Sequence, residues 1–230
     1  MTTSAVLELS ELLTPIRYLL LDFDGPTCAV FAGRPSRTIV LDLLRVLAAS
    51  DVTAPAHIAD TSDPLEVLRY ATTVGTSLAQ RIEDHLRAAE VDATRTAKPA
   101  PHARELIDAW RRHGRLAAIV SNNSSAAVAA YLAAQDVDID LVVGRTSPDA
   151  TLLKPSPHLI LTAMRALGDD ADSYVLVGDS VSDIVAAQRA GIHSIGYANA
   201  PGKHQALSHA GAQIVINDLA MLSQAATVSS

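Results

Sequence analysis

Tyr18-Leu19-Leu20-Leu21-Asp22-Phe23-Asp24-Gly25 sets four apolar residues directly before two acids and a glycine. A continuous apolar run that ends abruptly at charge is how a strand covered on both faces of a parallel sheet reads; a half-exposed strand would alternate. The pattern returns downstream in Leu116-Ala117-Ala118-Ile119-Val120, Leu141-Val142-Val143, Tyr174-Val175-Leu176-Val177 and Ser194-Ile195, with Ile214-Val215-Ile216 as a last strand. Helical stretches with recognisable ends lie between these runs. Pro101 leads into Leu106, Ile107 and Trp110, and Gly114 stops them. Pro155 and Pro157 open a stripe of Leu159, Ile160, Ala163, Met164 and Leu167 that ends at Gly168, and Val181, Ile184, Val185 and Gln188 run to Gly191. Strands alternating with such helices imply an α/β fold, a doubly wound, Rossmann-like parallel sheet.

The stretch from Gly33 to Lys98 breaks this pattern. Ile39, Val40, Leu43, Leu44 and Leu47, then Leu65 to Ala71, then Leu78 to Leu86 carry helical spacing, Pro35, Pro55, Pro64 and Pro99 punctuate them, and no strand is evident. The expected organisation is an α/β core over residues 15–32 and 99–222 with a small all-helical cap over 33–98 inserted after the first strand. Thr227 to Ser230 reads as a frayed tail.

Composition narrows the function classes. With 230 residues, 49% hydrophobic and 19% charged, the chain can fill a large core, and aromatics at 3% leave the packing to Ala, Val, Leu and Ile. A net charge of -7 speaks against a nucleic-acid surface, which needs clustered Lys and Arg. A single cysteine, Cys28, forms no internal disulfide, and its place behind the acidic motif suits a small buried apolar role. Met1 to Leu13 lacks the basic start of a secretory signal, and no apolar run approaches the ~20 residues that span a bilayer. The expectation is a soluble cytoplasmic protein with no nucleic-acid or membrane partner. Composition leaves monomer and homodimer equally open.

In a parallel sheet, binding groups gather beyond the carboxyl ends of the strands. Asp22 and Asp24 follow the first run, Ser121-Asn122-Asn123 the second, and Gly178-Asp179-Ser180 with Asp183 the fourth, while Lys154 stands just before a helix. An aspartate is ionised at neutral pH and attacks phosphorus without a base to activate it. Repulsion from an anionic substrate must then be offset, and carboxylates converging at strand ends make an all-oxygen site suited to Mg2+. Asp179 and Asp183 are one helical turn apart and can face one ion. Asp24, two places beyond Asp22, shares its side of an extended chain and can act as acid and then base. Ser121 and the amides after it can hold phosphoryl oxygens, and Lys154 can neutralise charge.

Taken singly these signals are weak: an Asp-x-Asp-Gly turn caps helices, Ser-Asn-Asn is a common N-cap, and Lys before Pro is usually solvated. Together, in this order, Asp22-Phe23-Asp24-Gly25, Val120-Ser121-Asn122, Lys154-Pro155 and Gly178-Asp179-Ser180 with Asp183 resemble the four motifs of the haloacid dehalogenase superfamily, its phosphatase-type members with a helical cap of the first type, phosphoglycolate phosphatase-like ones among them. The resemblance runs from Tyr18 to Ala200. It implies Asp22 as nucleophile and Asp24 as acid/base. Mg2+ is implied on Asp22, the backbone carbonyl of Asp24 and Asp179, with Asp183 binding directly or through water. It further implies phosphate contacts from Gly25, Ser121, Asn122 and Lys154. Pro26, Ala29 and Val30 depart from the family pattern of Thr or Val, then an acid and a Ser.

Other motifs lead elsewhere or nowhere. The eight histidines form no zinc-type spacing, Gly202-Lys203 lacks the rest of a P-loop, and Arg34, His57, Arg69 and Tyr70 in the insertion suit solvated or structural roles better than substrate contact. The expected activity is Mg2+-dependent phosphomonoesterase action on a small phosphorylated metabolite through an aspartyl-phosphate. The alternatives are a sugar-phosphate mutase and a catalytically silent phosphate- or metal-binding regulator on the same fold.

Overall fold

The computed structural model describes residues 3–168 and 170–228. Along the chain come α1 (Thr3–Leu13), β1 (Tyr18–Leu21), β2 (Cys28–Ala29), α2 (Ser36–Ala48), α3 (Ala56–Ala59), α4 (Pro64–Val74), α5 (Thr76–Ala93), β3 (Lys98–Pro99), α6 (Ala103–Arg112), β4 (Leu116–Ser124) and α7 (Ser125–Gln135). Then follow β5 (Leu141–Arg145), α8 (His158–Leu167), β6 (Tyr174–Gly178), α9 (Val181–Ala190), β7 (His193–Tyr197), α10 (Lys203–His209), β8 (Ile214–Ile216) and α11 (Ala220–Val228).

All six apolar runs enter one parallel sheet, in the order β5-β4-β1-β6-β7-β8. β1 lies between β4 and β6, with Leu20 opposite Ala118 on one side and Leu176 on the other. Alternate residues of β1 point to opposite faces. Leu19 and Leu21 join one buried cluster with Ile107 and Trp110 of α6 and Leu222 of α11. Leu20 joins another with Ile160 of α8 and Ala186 of α9. Both faces are therefore covered, which is why the run reads as continuously apolar, and each buried leucine contributes about 2 kcal/mol. The doubly wound α/β expectation is borne out. α1 was not legible as an element; its Leu9 and Leu13 are buried in the α6–α11 face of the core. α11 extends to Val228, while Ser229 and Ser230 of the expected tail lie outside the described residues.

Helices α2, α4 and α5 enclose an apolar cluster of their own, from Ile39 and Leu43 through Val67 and Leu68 to Ile82 and Leu86. The insertion does carry one short strand at its edge: Lys98 and Pro99 pair antiparallel with Ala29 and Cys28. This ribbon joins the outgoing and returning chain, and Phe23, Cys28, Val30 and Ala93 form a buried joint with Val128 and Tyr131. Among the described residues no helix is long and apolar enough to cross a membrane.

Candidate active site

The site grows out of the ends of the central strands. Asp22 extends the β1 ladder through its N–H to the Val177 carbonyl (3.0 Å), and the chain then turns sharply. Phe23 O accepts from Cys28 N–H at 3.0 Å, Cys28 O from Gly25 N–H at 2.7 Å, and Asp22 O from the Thr27 hydroxyl at 2.8 Å. Gly25 makes this possible. Its φ of +115° disfavours an L side chain, and a Cβ there would lie 2.4 Å from the Asp179 carboxylate. The structure thus places Gly25 against Asp179, bringing the first and fourth motifs together.

Asp22 Oδ1 accepts from Phe23 N–H at 2.7 Å and pairs with Lys154 Nζ at 2.9 Å. Its Oδ2 has no protein partner among the described residues. Burial, with Asp183 and Asp179 adding like charge, pushes the Asp22 carboxyl up to about 7 against the pull of Lys154. Asp24 Oδ1 accepts from Val30 N–H at 3.0 Å, and burial pushes its carboxyl up to about 6. Both acids line one cavity with Ser121, Asn122, Lys154 and Asp179.

β4 continues past Val120 to Ser124, so the residue that caps α7 is Ser124, whose Oγ accepts from Ala127 N–H; Ser121 stays free of that duty. Ser121 exchanges hydrogen bonds with Asn123, donating to Oδ1 at 3.3 Å and accepting from its N–H at 3.2 Å. The Asn122 side chain clamps Lys154 from both sides: Oδ1 accepts from Lys154 N–H (2.8 Å) and Nδ2 donates to Lys154 O (3.1 Å). Asn122 therefore stands as a positioner of Lys154. The lysine is only 1% exposed, and its Nζ meets Val120 O at 3.0 Å, Asp22 Oδ1 at 2.9 Å and Asp183 Oδ1 at 2.6 Å. Burial alone would lower its affinity for a proton; Asp183 and Asp22 outweigh that and hold it above the ordinary lysine range.

Asp183 completes a capping box at the start of α9. Its Oδ2 accepts from Ser180 N–H at 3.0 Å and from Ser180 Oγ at 2.6 Å, while Ser180 Oγ accepts from Asp183 N–H. Gly178 leaves room for it, since a Cβ there would fall 2.2 Å from Asp183 Cβ. Asp179 takes Asn199 Nδ2 on Oδ2 at 3.1 Å and an ion pair from Lys203 on the same oxygen. Its carboxyl is raised by burial and drawn back by Lys203.

The donor set fits a hard cation. Asp22, Asp179 and Asp183 each offer an oxygen within 4.8 Å of the others, and no softer ligand stands in that cluster. With both Asp183 oxygens engaged by Lys154 and Ser180, Asp22 and Asp179 are the open carboxylates. The pH dependence follows from the shifted acids. Asp22 and Asp24 hold protons in the folded chain at pH values where the unfolded chain has ionised. Stability without metal therefore falls as pH rises from about 4 to about 7 and stays low above. Added Mg2+ is expected to raise Tm, and to raise it more near pH 8 than near pH 5, where protons compete. A Tm at pH 8 indifferent to Mg2+ counts against this cluster as a metal site.

Several functional neighbours were not legible. Arg145, at the end of β5, reaches Asn122 O at 2.8 Å and pairs with Glu83 and Glu90 of α5, all three side chains being at most 2% exposed. Glu90 in turn accepts from Asn123 Nδ2 (3.3 Å) and Ser124 N–H (2.9 Å). Asn199 and Lys203 act on Asp179. The strand-end position that marks Asp22 also marks Arg145, at the end of β5, and Asn199, just beyond β7. None of Arg34, His57, Arg69 and Tyr70 lines the cavity; Arg34 pairs with Asp42 and Asp92, and the Tyr70 hydroxyl donates to Thr53 O.

A family model described as haloacid dehalogenase-like hydrolase matches residues 47–197, a span that holds Ser121, Lys154, Asp179 and Asp183 and begins after Asp22 and Asp24. A phosphoglycolate phosphatase of Pectobacterium atrosepticum is 27% identical over 208 residues, covering 80% of this chain and 81% of that one. Another, of Photorhabdus laumondii subsp. laumondii, is 28% identical over 196 residues, covering 81% and 82%. Among solved structures, that of a predicted phosphatase from Clostridium acetobutylicum superposes with a TM-score of 0.69 at 19% identity, covering 91% of this chain and 97% of that one.

Proposed function

The chain belongs to the haloacid dehalogenase-like hydrolases, and from that premise we propose that it is a Mg2+-dependent phosphatase of small phosphomonoesters that works through a phosphoryl group carried on Asp22. The observation that carries this reading is the division of labour within two carboxyls. Asp22 has one oxygen held by Phe23 N–H and Lys154 and the other unencumbered, and Asp24 beside it has one oxygen held by Val30 N–H and a carboxyl poised near 6.

Asp22 Oδ2 attacks phosphorus; the Asp22–phosphorus bond forms as the bond to the leaving oxygen breaks, and the Asp24 proton passes to that oxygen. Asp24, now ionised, takes a proton from water as the water oxygen attacks phosphorus, releasing phosphate and restoring Asp22. Lys154, rigidly held by Asn122 and Val120, keeps the attacking carboxylate aimed and neutralises charge on the transferring group. The Ser121 hydroxyl donates to a phosphoryl oxygen, and the Asn123 and Ser124 amides, held by Ser121 Oγ and Glu90, fix the chain around it. Mg2+, held by Asp22 and Asp179 with Asp183 behind them, would supply further neutralisation of the anionic phosphate. The helical segment 33–98 is its cap, excluding water and facing the leaving group.

Phosphate release from a panel of phosphomonoesters is expected to require added Mg2+ and to stop on chelation. Acid-quenched protein should carry a labelled phosphoryl group on Asp22. A panel without any Mg2+-dependent release overturns the reading.

A further inference from the structure

The cavity over Asp22 encloses about 190 Å3, below the 300–1,000 Å3 typical of drug-sized ligand sites. Its floor is the strand-end cluster, and its roof is the start of α4, Asp63, Pro64 and Leu65, with Phe31 at the joint. In-line displacement sets the leaving oxygen opposite Asp22, so the leaving group faces this roof.

The roof offers nothing to a carboxylate. A helix start ordinarily attracts anions through its free amides. Here Pro64 has no N–H, Leu65 N–H is capped by Asp63 Oδ1 at 2.9 Å, and Glu66 N–H is bound to Asp63 O at 3.1 Å. Charge points the same way. Arg69 lies 3.4 Å from Asp63 and 3.8 Å from Glu66, so one cation serves two carboxylates and one negative charge remains. Glu90, the other acid on the cap side, shares Arg145 with Glu83, so that cluster adds no positive charge to the cavity either. Among the described residues, Lys154 is the one cation lining the cavity, and it is committed to Asp22, Asp183 and Val120 O.

We propose, resting on the phosphatase reading above, that the substrates are monophosphates of small uncharged polyols, whose hydroxyls donate to Asp63, and that esters carrying a carboxylate on the leaving group are disfavoured. Phosphoglycolate, the ester in the names of both curated relatives, belongs to the disfavoured class. The roof selects by repulsion and by the absence of donors, while the floor treats every phosphoryl group alike.

The test compares kcat/KM of the full chain with Mg2+ on glycerol 3-phosphate and on 2-phosphoglycolate, with acetyl phosphate as a generic substrate. Glycerol 3-phosphate is expected to be preferred by roughly tenfold or more, and Asp63→Asn to shrink that ratio by roughly threefold or more, chiefly through KM for phosphoglycolate. Phosphoglycolate turned over equally well, or a ratio that Asp63→Asn leaves intact, overturns the proposal and leaves the phosphatase reading standing. If no ester, acetyl phosphate included, releases phosphate in an Asp22-dependent way, the phosphatase reading fails instead. The proposal is then decided by calorimetry on Asp22→Asn, where tighter glycerol 3-phosphate upholds it and tighter phosphoglycolate overturns it.

Discussion

Asp22→Asn is expected to lower turnover by at least about 10³-fold while leaving the fold intact, a loss of about 4 kcal/mol or more in transition-state stabilisation. The amide has the shape of the carboxylate but is a far poorer nucleophile, so the covalent step itself is what disappears. Two opposed effects act on stability. Lys154 loses one carboxylate partner but keeps Asp183 at 2.6 Å and Val120 O at 3.0 Å. In return, a buried charge crowded by Asp183 and Asp179 is removed, the burial and crowding that together lift the Asp22 carboxyl to about 7. A Tm close to that of the parent together with absent turnover separates chemistry from folding. Asp24→Asn, by contrast, should retain slow attack on esters with good leaving groups, because only the proton delivery is lost. Full activity in Asp22→Asn excludes it as the nucleophile.

Asp22 could be read from sequence because everything that defines it is local: an apolar run long enough to be buried, a charge at its end, and a second acid two residues on. The same holds for Asp179 and Asp183, which flank the start of α9, where Asp183 closes a capping box with Ser180. Lys154 was legible as a cation before a helix. That it is buried, and clamped by Asn122 thirty-two residues away in sequence, was not, because burial of a charged group is settled by what the rest of the chain folds over it. Glu83 and Glu90 illustrate the point further. On α5 they border the apolar stripe of Ala79, Ile82 and Leu86, where an acid is ordinarily left to solvent, yet they are 1% exposed and face the sheet. Two acids seven residues apart stack on one helix face, and only the arrival of Arg145 from β5 makes that face an interior one.

Arg145→Met is expected to cost about 3–5 kcal/mol, the usual effect of removing one partner from a fully buried ion cluster. Its guanidinium donates to Glu83 Oε2 at 2.5 Å, to Glu90 at 3.0 and 2.9 Å, and to Asn122 O at 2.8 Å. Without it, two carboxylates face each other out of reach of water, and Glu83, already raised by burial and with one oxygen lacking a hydrogen-bond partner, must take up a proton. Against a total stability of about 5–15 kcal/mol this is a large fraction, read as a Tm lower by about 10 °C or more. Because such a variant can fail to accumulate, the decisive comparison adds Glu83→Leu and Glu90→Met to it. An apolar trio of similar volume should recover most of the lost stability. Activity should not return with it, since Asn122 O, Asn123 Nδ2 and Ser124 N–H would still lack the partners that fix the chain beyond Ser121. Recovery of both stability and turnover in the triple variant makes the cluster a matter of packing alone. Recovery of stability without turnover makes it the brace through which α5 holds the phosphate-facing loop.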